Sequence, residues 1–350
     1  MATRVVGLDI GSTSLRAVEV SANGKTKPTL LRFHEVPIAE GAISRGEVLE
    51  PNTVATALRK LWVDGGFTSK KVVLGVGNQR VLARDLTVPK ASLKRIREAL
   101  PFQVQEMLPV PVADALLDFY PVSESEGENG PVVNGLLIAA VKDAVLGNVR
   151  AVQQAGLTPV GVDLIPFALS RILISRPKLT GTVVLIVVSA NTTSVVIAVD
   201  GVPQFVRLVP AGGDDLTQAL KLGLEIDAAQ AVQLKETLGL NTTKVATDEE
   251  NRAVEIIYAV TAELLGSLRN TINYFINSHP QHTVSQIILT GRGALLPGFA
   301  SALTEMTRIP VAEADPFSTI ALSHKLVPDD LNRSRTTIMV ALGLAIGGMA

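Results

Sequence analysis

GLDIGSTSLRAVEVSANG at residues 7–24 and VVLIVVSANTTSVVIAVDG at 183–201 decide the fold. Val5 to Ile10 is an apolar run that ends in a small polar turn, Gly11-Ser12-Thr13-Ser14. Leu15 to Ser21 follows as an alternating strand, Asn23-Gly24 reads as a tight turn, and Thr29 to Val36 as a third strand. The order begins again at Gly181. Strands are expected over Val183 to Val188, Ser194 to Val199 and Gln204 to Val209, with turns at Asn191-Thr192-Thr193 and Asp200-Gly201. Residue similarity between the halves is faint, but the order of elements repeats. Two related lobes around a cleft can hold a phosphate chain from both sides.

Composition agrees with this reading. The 350 residues exceed one typical domain of roughly 100–200 residues. Hydrophobic residues make up 47% and aromatics only 4%, so the core must be packed from Val, Leu, Ile and Ala, as in sheets covered by helices. A net charge of -1 leaves no broad basic field for nucleic acid or anionic lipid. The absence of cysteine excludes disulfides and thiolate metal sites and fits a reducing compartment. Asp9 interrupts the N-terminal stretch before a secretion-signal core can form. The apolar stretch from Val183 to Val199 is broken at 189–194, and Ile338 to Met349 is short against the roughly 20 residues of a spanning helix. A soluble, cytoplasmic protein with no direct membrane insertion is expected.

Between the repeats, helical spacing covers Asn52 to Val63, and Ala91 to Met107 with Pro101 inside it. Lys71 to Gly75 and Val81 to Val88 read as strands, and Asp114 to Val122 and Val133 to Val141 as a strand pair. The acidic, turn-rich Ser123 to Gly130 between that pair reads as a mobile loop. Asp143 to Ala155 is helical with Gly156 as its stop, and Val160 to Val162 and Pro166 to Ile174 give a short strand and a helix. Helices follow over Gly212 to Leu222, Ala228 to Leu238, Asn251 to Asn277 and Pro297 to Met306, with a strand at Ser285 to Thr290.

GLDIGSTS at 7–14 resembles the first phosphate motif of the actin-like ATPase superfamily, and ILTGRGALLPG at 288–298 its adenosine motif. Within that superfamily the chain resembles the PilM family of type IV pilus assembly proteins. The stretches that carry this are LTVPKASLKRIREALPFQVQEMLPVPVADALLDFYPV at 86–122, AGLTPVGVDLIPFALSRIL at 155–173, AGGDDLT at 211–217 and GLAIGG at 343–348. The resemblance implies an α/β, actin-like (ribonuclease H-like) duplicated two-lobed fold with an inserted subdomain, called 1C, in its first half. It implies a first lobe from 1–76 and 159–180, the insert at 77–158, a second lobe at 181–335, and a C-terminal helix in 336–350 returning to the first lobe. It further implies ATP with magnesium as ligand. It implies the N-terminal peptide of a PilN-like membrane protein as partner, beside other pilus assembly components, and a place at the inner membrane reached through partners.

Chemistry bears on each implied position. Gly11, Ser12, Thr13 and Ser14 supply the close backbone amides and small hydroxyls that a phosphate chain needs. Asp9 would hold magnesium through water; standing alone, the same residues are an ordinary turn after a strand. In the second loop the superfamily's Asp-x-Gly is replaced by Val187, Val188 and Ser189, while Asn191, Thr192 and Thr193 keep polar reach. The position of a further superfamily carboxylate is Ile165, with Asp163 two residues away. A positioned general base is worth roughly 10²–10⁴-fold, so slow or absent hydrolysis is expected. Gly291-Arg292-Gly293 replaces a double glycine, and Arg292 would either stack on adenine or block the site. Lys235 remains from the ribose motif, with Val232 at its Glu position; a solvated helix face is the simpler reading of Lys235. Gly212-Gly213 would either present amides to phosphate or form a plain loop before a helix capped by Asp214 or Asp215.

Phe102, Val104, Met107 and Leu108 are the candidates for lining the partner groove; filling the small core of the insert is the alternative for each. His34, His279, His282 and His324 form no metal-ligand pattern, and Lys94, Arg95 and Arg97 read as a solvated helix face. An active ATPase or phosphotransferase is opposed by Val187, Ser189 and Ile165. A membrane-bound, filament-forming division protein of the FtsA kind is opposed by TTIMVALGLAIGGMA, which follows Arg335 and carries no Lys or Arg. Self-association stays open.

Overall fold

The computed structural model describes residues 3–22, 27–241, 247–324 and 326–349. The expected turn at Asn23-Gly24 lies outside them. Three strands open the chain: β1 (Thr3–Ile10), β2 (Ser14–Ala22) and β3 (Thr29–Pro37). The short hairpin β4 (Ile43–Ser44) and β5 (Glu47–Val48), helix α1 (Pro51–Asp64) and β6 (Lys71–Val76) follow. The chain then leaves the sheet for β7 (Val81–Pro89), α2 (Leu93–Gln103), β8 (Ala115–Gly127), β9 (Gly130–Val141) and α3 (Lys142–Gln154). It returns as β10 (Thr158–Leu164) and α4 (Ile165–Ser170).

The second half comprises β11 (Thr182–Val188), β12 (Thr193–Val199), β13 (Val202–Val209), α5 (Gly213–Leu224), α6 (Ala228–Leu238), α7 (Asp248–Ser278), β14 (Val284–Thr290), α8 (Phe299–Thr307) and β15 (Val311–Glu313). The chain closes with β16 (Ala321–Leu322), α9 (Pro328–Arg333) and α10 (Met339–Gly347).

The repeat seen in the sequence becomes a repeat of sheet topology. One sheet runs β10-β6-β1-β2-β3-β16 and the other β13-β12-β11-β14-β15. In each, an antiparallel three-strand meander continues through its first strand into parallel partners, β6 and β10 in one and β14 and β15 in the other. β11 is buried along its whole length, hence its unbroken apolar sequence. Val183, Leu185 and Val187 face the core between the sheets, whereas Val184, Ile186 and Val188 face α5, α7 and α8. The first sheet is covered on one face by α1 and α3. The helix that starts at Ile165 and α10 fill the space between the two sheets.

α10 sits against β1 so closely that a Cβ on Gly7 would lie 1.9 Å from Ala341 O, and one on Gly343 would lie 2.3 Å from Ala168 O. Only glycine permits these two approaches. Leu342, Leu344 and Ile346 are buried in the same contact, each worth about 1.5–3 kcal/mol relative to exposure.

Two expectations are corrected. Ser123 to Gly130 is not a loop: β8 and β9 pair from Ala115↔Val141 to Gly127↔Gly130, and only the tip turns. Asn134 secures the polar half, its Nδ2 donating to Ser125 Oγ at 2.9 Å and its Oδ1 accepting from Thr87 Oγ1 at 2.8 Å, and Lys90 pairs with Glu124. A strand with an open side tolerates such polar residues. The helix expected to run from Pro166 to Ile174 is regular only to Ser170 and widens to a π turn over Arg171–Ser175. There the Arg171 Nη1 donates to Asp163 Oδ2 at 2.8 Å and to Gly343 O at 3.0 Å, tying this helix to α10.

Candidate functional site

Between the lobes lies a cavity of about 490 Å³, a size that suits a small-molecule ligand. Asp9, Gly11, Ser12 and Thr13 line it from the first lobe, and Asn191, Thr192, Gly213, Lys235, Gly291, Arg292 and Gly293 from the second. The two β-hairpins place their turns face to face, and Ser12 Oγ donates to Asn191 Oδ1 at 3.0 Å across the cleft. Within the loops the amide of Gly11 bonds Ser14 O and that of Ser189 bonds Thr192 O.

Three of the sequence candidates sit elsewhere. Ser14 is buried in β2, its hydroxyl without a partner. Thr193 is fully buried and donates to Ala211 O at 2.8 Å. Gly212 lies behind the cleft wall and donates its amide to Asp215 Oδ2 at 2.7 Å. The amides of Gly213 and Asp214 are also taken, by Ser189 O and Ala190 O. At the start of α5 the Asp215 carboxylate thus caps the helix, and the amides of Gly212, Gly213 and Asp214 are bonded within the protein. Lys235 is not on a solvated face. It is half-buried, and its Nζ donates to Thr217 Oγ1 at 2.7 Å and Gly213 O at 3.1 Å. Burial holds its ammonium below the ordinary value, against the opposing pull of Asp214 and Glu236.

Asp9 is the largest change from expectation. The β1–β2 register sets it directly opposite Arg16, and the β2–β3 register sets Arg16 opposite Glu35. The Arg16 Nη1 donates to Asp9 Oδ2 at 3.0 Å and its Nε to Glu35 Oε1 at 3.0 Å. Burial nevertheless pushes the Asp9 carboxyl up, outweighing the Arg16 charge and hydrogen bond. Asp9 faces the cavity with its charge already answered. Among the described residues no group of three His, Asp or Glu gathers anywhere as a metal cage. The glycines and hydroxyls of the two turn loops fit the phosphates of a nucleotide, and Asp9 is the carboxylate that lines the cavity beside the first loop.

Arg16, Arg45, Asn78, Glu236, Thr336 and Thr337 also line the cavity and were not singled out from sequence. Arg16 carried a readable signal, a lone cation in a buried strand directly across a hairpin from Asp9. Ile165, Val187 and Ser189 line the cavity at the positions where a carboxylate was sought, whereas Asp163 is turned to Arg171.

The four groove candidates do not share a surface. Ile96, Leu100 and Val104 recur every four residues and face the core of the insert, with Val104 fully buried. Met107 and Leu108 pack partly against that core. Phe102, half a turn from Leu100, is 85% exposed on the opposite face.

Comparison with known proteins first defines the class. MreB 5 of Spiroplasma citri bound to AMPPNP superposes with a TM-score of 0.54 at 10% identity, covering 98% of this chain and 95% of that one. Ethanolamine utilization protein EutJ from Carboxydothermus hydrogenoformans gives 0.55 at 13% identity, covering 98% and 89%. This is the actin-like fold. Cell division protein FtsA of Bacillus subtilis is 22% identical over 356 residues, 89% of this chain and 78% of that protein. The family model of Type IV pilus assembly protein PilM matches residues 7–349. A solved PilM-PilN type IV pilus biogenesis complex superposes with a TM-score of 0.86 at 30% identity, covering 99% of each chain. The chain belongs to the PilM family.

Proposed function

We propose that this chain acts in type IV pilus assembly as a cytoplasmic docking component that binds the N-terminal peptide of a PilN-like membrane protein. It thereby links the inner-membrane alignment complex to the motor side. The observation that carries this reading is the likeness, over 99% of both chains, to a PilM that is solved in complex with PilN. Among the described residues no helix is long and apolar enough to cross a membrane, which suits attachment through a partner. The assigned parts are a first lobe at 1–76 and 159–180, an insert at 77–158 that forms the groove, a second lobe at 181–335 and the closing helix in 336–350.

The cleft is assigned to ATP. Ser12, Thr13, Asn191 and Thr192 surround the phosphates, with Arg16 as the buried cation beneath them. Gly291, Arg292 and Gly293 flank the base, and Lys235 braces the wall. When bound, magnesium supplies charge neutralisation to the phosphates and is carried by them. Hydrolysis is weak or absent, because Ile165 and Val187 stand where a carboxylate would orient water.

The test is to titrate the purified chain with a synthetic PilN N-terminal peptide, with and without ATP, and to follow phosphate release. Peptide binding with little turnover is expected. No peptide binding in either condition would remove the docking reading, and tight ATP binding with clear turnover would remove the assignment of weak hydrolysis.

A further inference from the structure

Among the described residues the cations facing the cavity are Arg16, Arg45, Lys235 and Arg292. Arg16 is engaged with Asp9 and Glu35, and Lys235 with Gly213 O and Thr217. Arg45 has no carboxylate partner there; its contact is Nη1 to Gln79 Oε1 at 3.4 Å. It is exposed, at the tip of the β4–β5 hairpin. Its φ is +49° and that of Gly46 is +78°, so the tip is a tight turn with its first residue in the left-handed region. Arginine rarely adopts that conformation, and such residues collect at functional sites.

The hairpin is clamped from behind. Asn148 of α3 is buried; its Oδ1 accepts from Val48 N at 3.1 Å and its Nδ2 donates to Gly46 O at 3.1 Å. Glu47 Oε2 accepts from Arg80 Nη1 at 2.9 Å, and Arg80 O accepts from Val141 N at 3.1 Å at the base of the inserted sheet. The tip also borders the phosphate loops. Thr192 Oγ1 donates to Gly77 O at 3.3 Å, and a side chain on Gly46 would sit 3.5 Å from the Cβ of Asn78. Arg45 therefore borders the phosphate-loop end of the cavity and stands where that end meets the root of the insert.

We propose that Arg45 binds the outermost phosphate of a nucleoside triphosphate in the cleft, and that the β4–β5 hairpin passes this contact to the insert. This rests on the reading of the cleft as a nucleotide site. A diphosphate, one group shorter, leaves Arg45 unengaged. The protein then distinguishes the two nucleotides without cutting either, and the insert follows the loading of the cleft.

The test titrates the full chain with fluorescent ATP and ADP analogues, comparing wild type with Arg45→Ala and Arg45→Lys. Arg45 is exposed, so neither variant threatens the fold. Arg45→Ala is expected to lose about tenfold in ATP affinity, the scale of a charge-assisted hydrogen bond, with ADP affinity changed by less than about twofold. Arg45→Lys should recover part of the loss. Hydrogen exchange of β7 and β9 should respond to ATP in wild type and not in Arg45→Ala. Equal loss for both nucleotides, or no loss for ATP, overturns the role of Arg45. An unchanged exchange response in Arg45→Ala overturns transmission to the insert. A wild type that binds neither nucleotide overturns the cleft reading itself, a separate result.

Discussion

Replacing Arg16 by Met separates the electrostatic role of this residue from its bulk. Arg16 lies in β2 with side-chain exposure of 10%, between Asp9 at 12% and Glu35 at 33%. Methionine keeps most of the apolar stem and removes the guanidinium, so Asp9 becomes a buried carboxylate with no cation beside it. At an effective dielectric near 20, opposite charges about 4 Å apart attract by roughly 4 kcal/mol. Removing one member of a buried pair generally costs about 3–5 kcal/mol, because the other charge remains buried. At roughly 2–4 °C per kcal/mol for lobes of this size, the melting temperature should fall by about 6–20 °C.

The pH dependence has a definite sign. Burial already holds the Asp9 carboxyl above its ordinary value, and losing Arg16 raises it further. A raised carboxyl costs stability while charged and ceases to cost it once protonated. The gap between wild type and Arg16→Met should therefore be widest at neutral pH. It should narrow on acidification from the variant's Asp9 pKa down to the wild type's own raised value, because the unfolded state is common to both proteins. Thermal melts followed by circular dichroism across that window measure both effects. Adding Asp9→Asn to Arg16→Met should restore a good part of the loss, which distinguishes an orphaned charge from a packing defect. A loss under about 1 kcal/mol at neutral pH, or a gap that does not move with pH, would refute the reasoning.

Other substitutions probe the remaining structural claims. Ser14→Ala removes a buried hydroxyl that has no partner, so stability should hold or rise by about 1 kcal/mol and ATP-analogue affinity should not change; weaker binding would return Ser14 to the phosphate loop. Gly7→Ala places a methyl against the backbone of α10, and a loss of about 1–3 kcal/mol with faster hydrogen exchange over Met339 to Gly347 is expected; full protection there would contradict the close approach. Val104→Asp should destabilise the insert by more than about 3 kcal/mol while Phe102→Asp stays within about 0.5 kcal/mol in urea titrations; equal effects would contradict their opposite faces.

The repeated meander was legible because strand periodicity and turn residues are local signals, and both hairpins fall where Gly11 to Ser14 and Asn191 to Thr193 mark them. The insert's hairpin was misread at Ser123 to Gly130, because a polar stretch on an open strand has the composition of a loop. Thr336 and Thr337 could not be read as cleft residues at all. They reach it because the chain's end returns between the sheets, which no local pattern reports. Arg45 was hidden for the same reason, since its place depends on Asn148 holding the hairpin from about a hundred positions away.

The absence of an acid from the second turn loop has a counterpart across its hairpin. In the first lobe Asp9 stands opposite Arg16 across β1 and β2; in the second, the corresponding pair across β11 and β12 is Val187 and Ser194. A buried carboxylate at the end of β11 would need a cation across the hairpin, and a cation there would need its carboxylate. The physics of burial therefore favours having both or neither. The first lobe keeps both members and the second has neither, so the charged pair at the strand ends stands on one side of the cleft alone. The missing acid is thus one half of a paired absence.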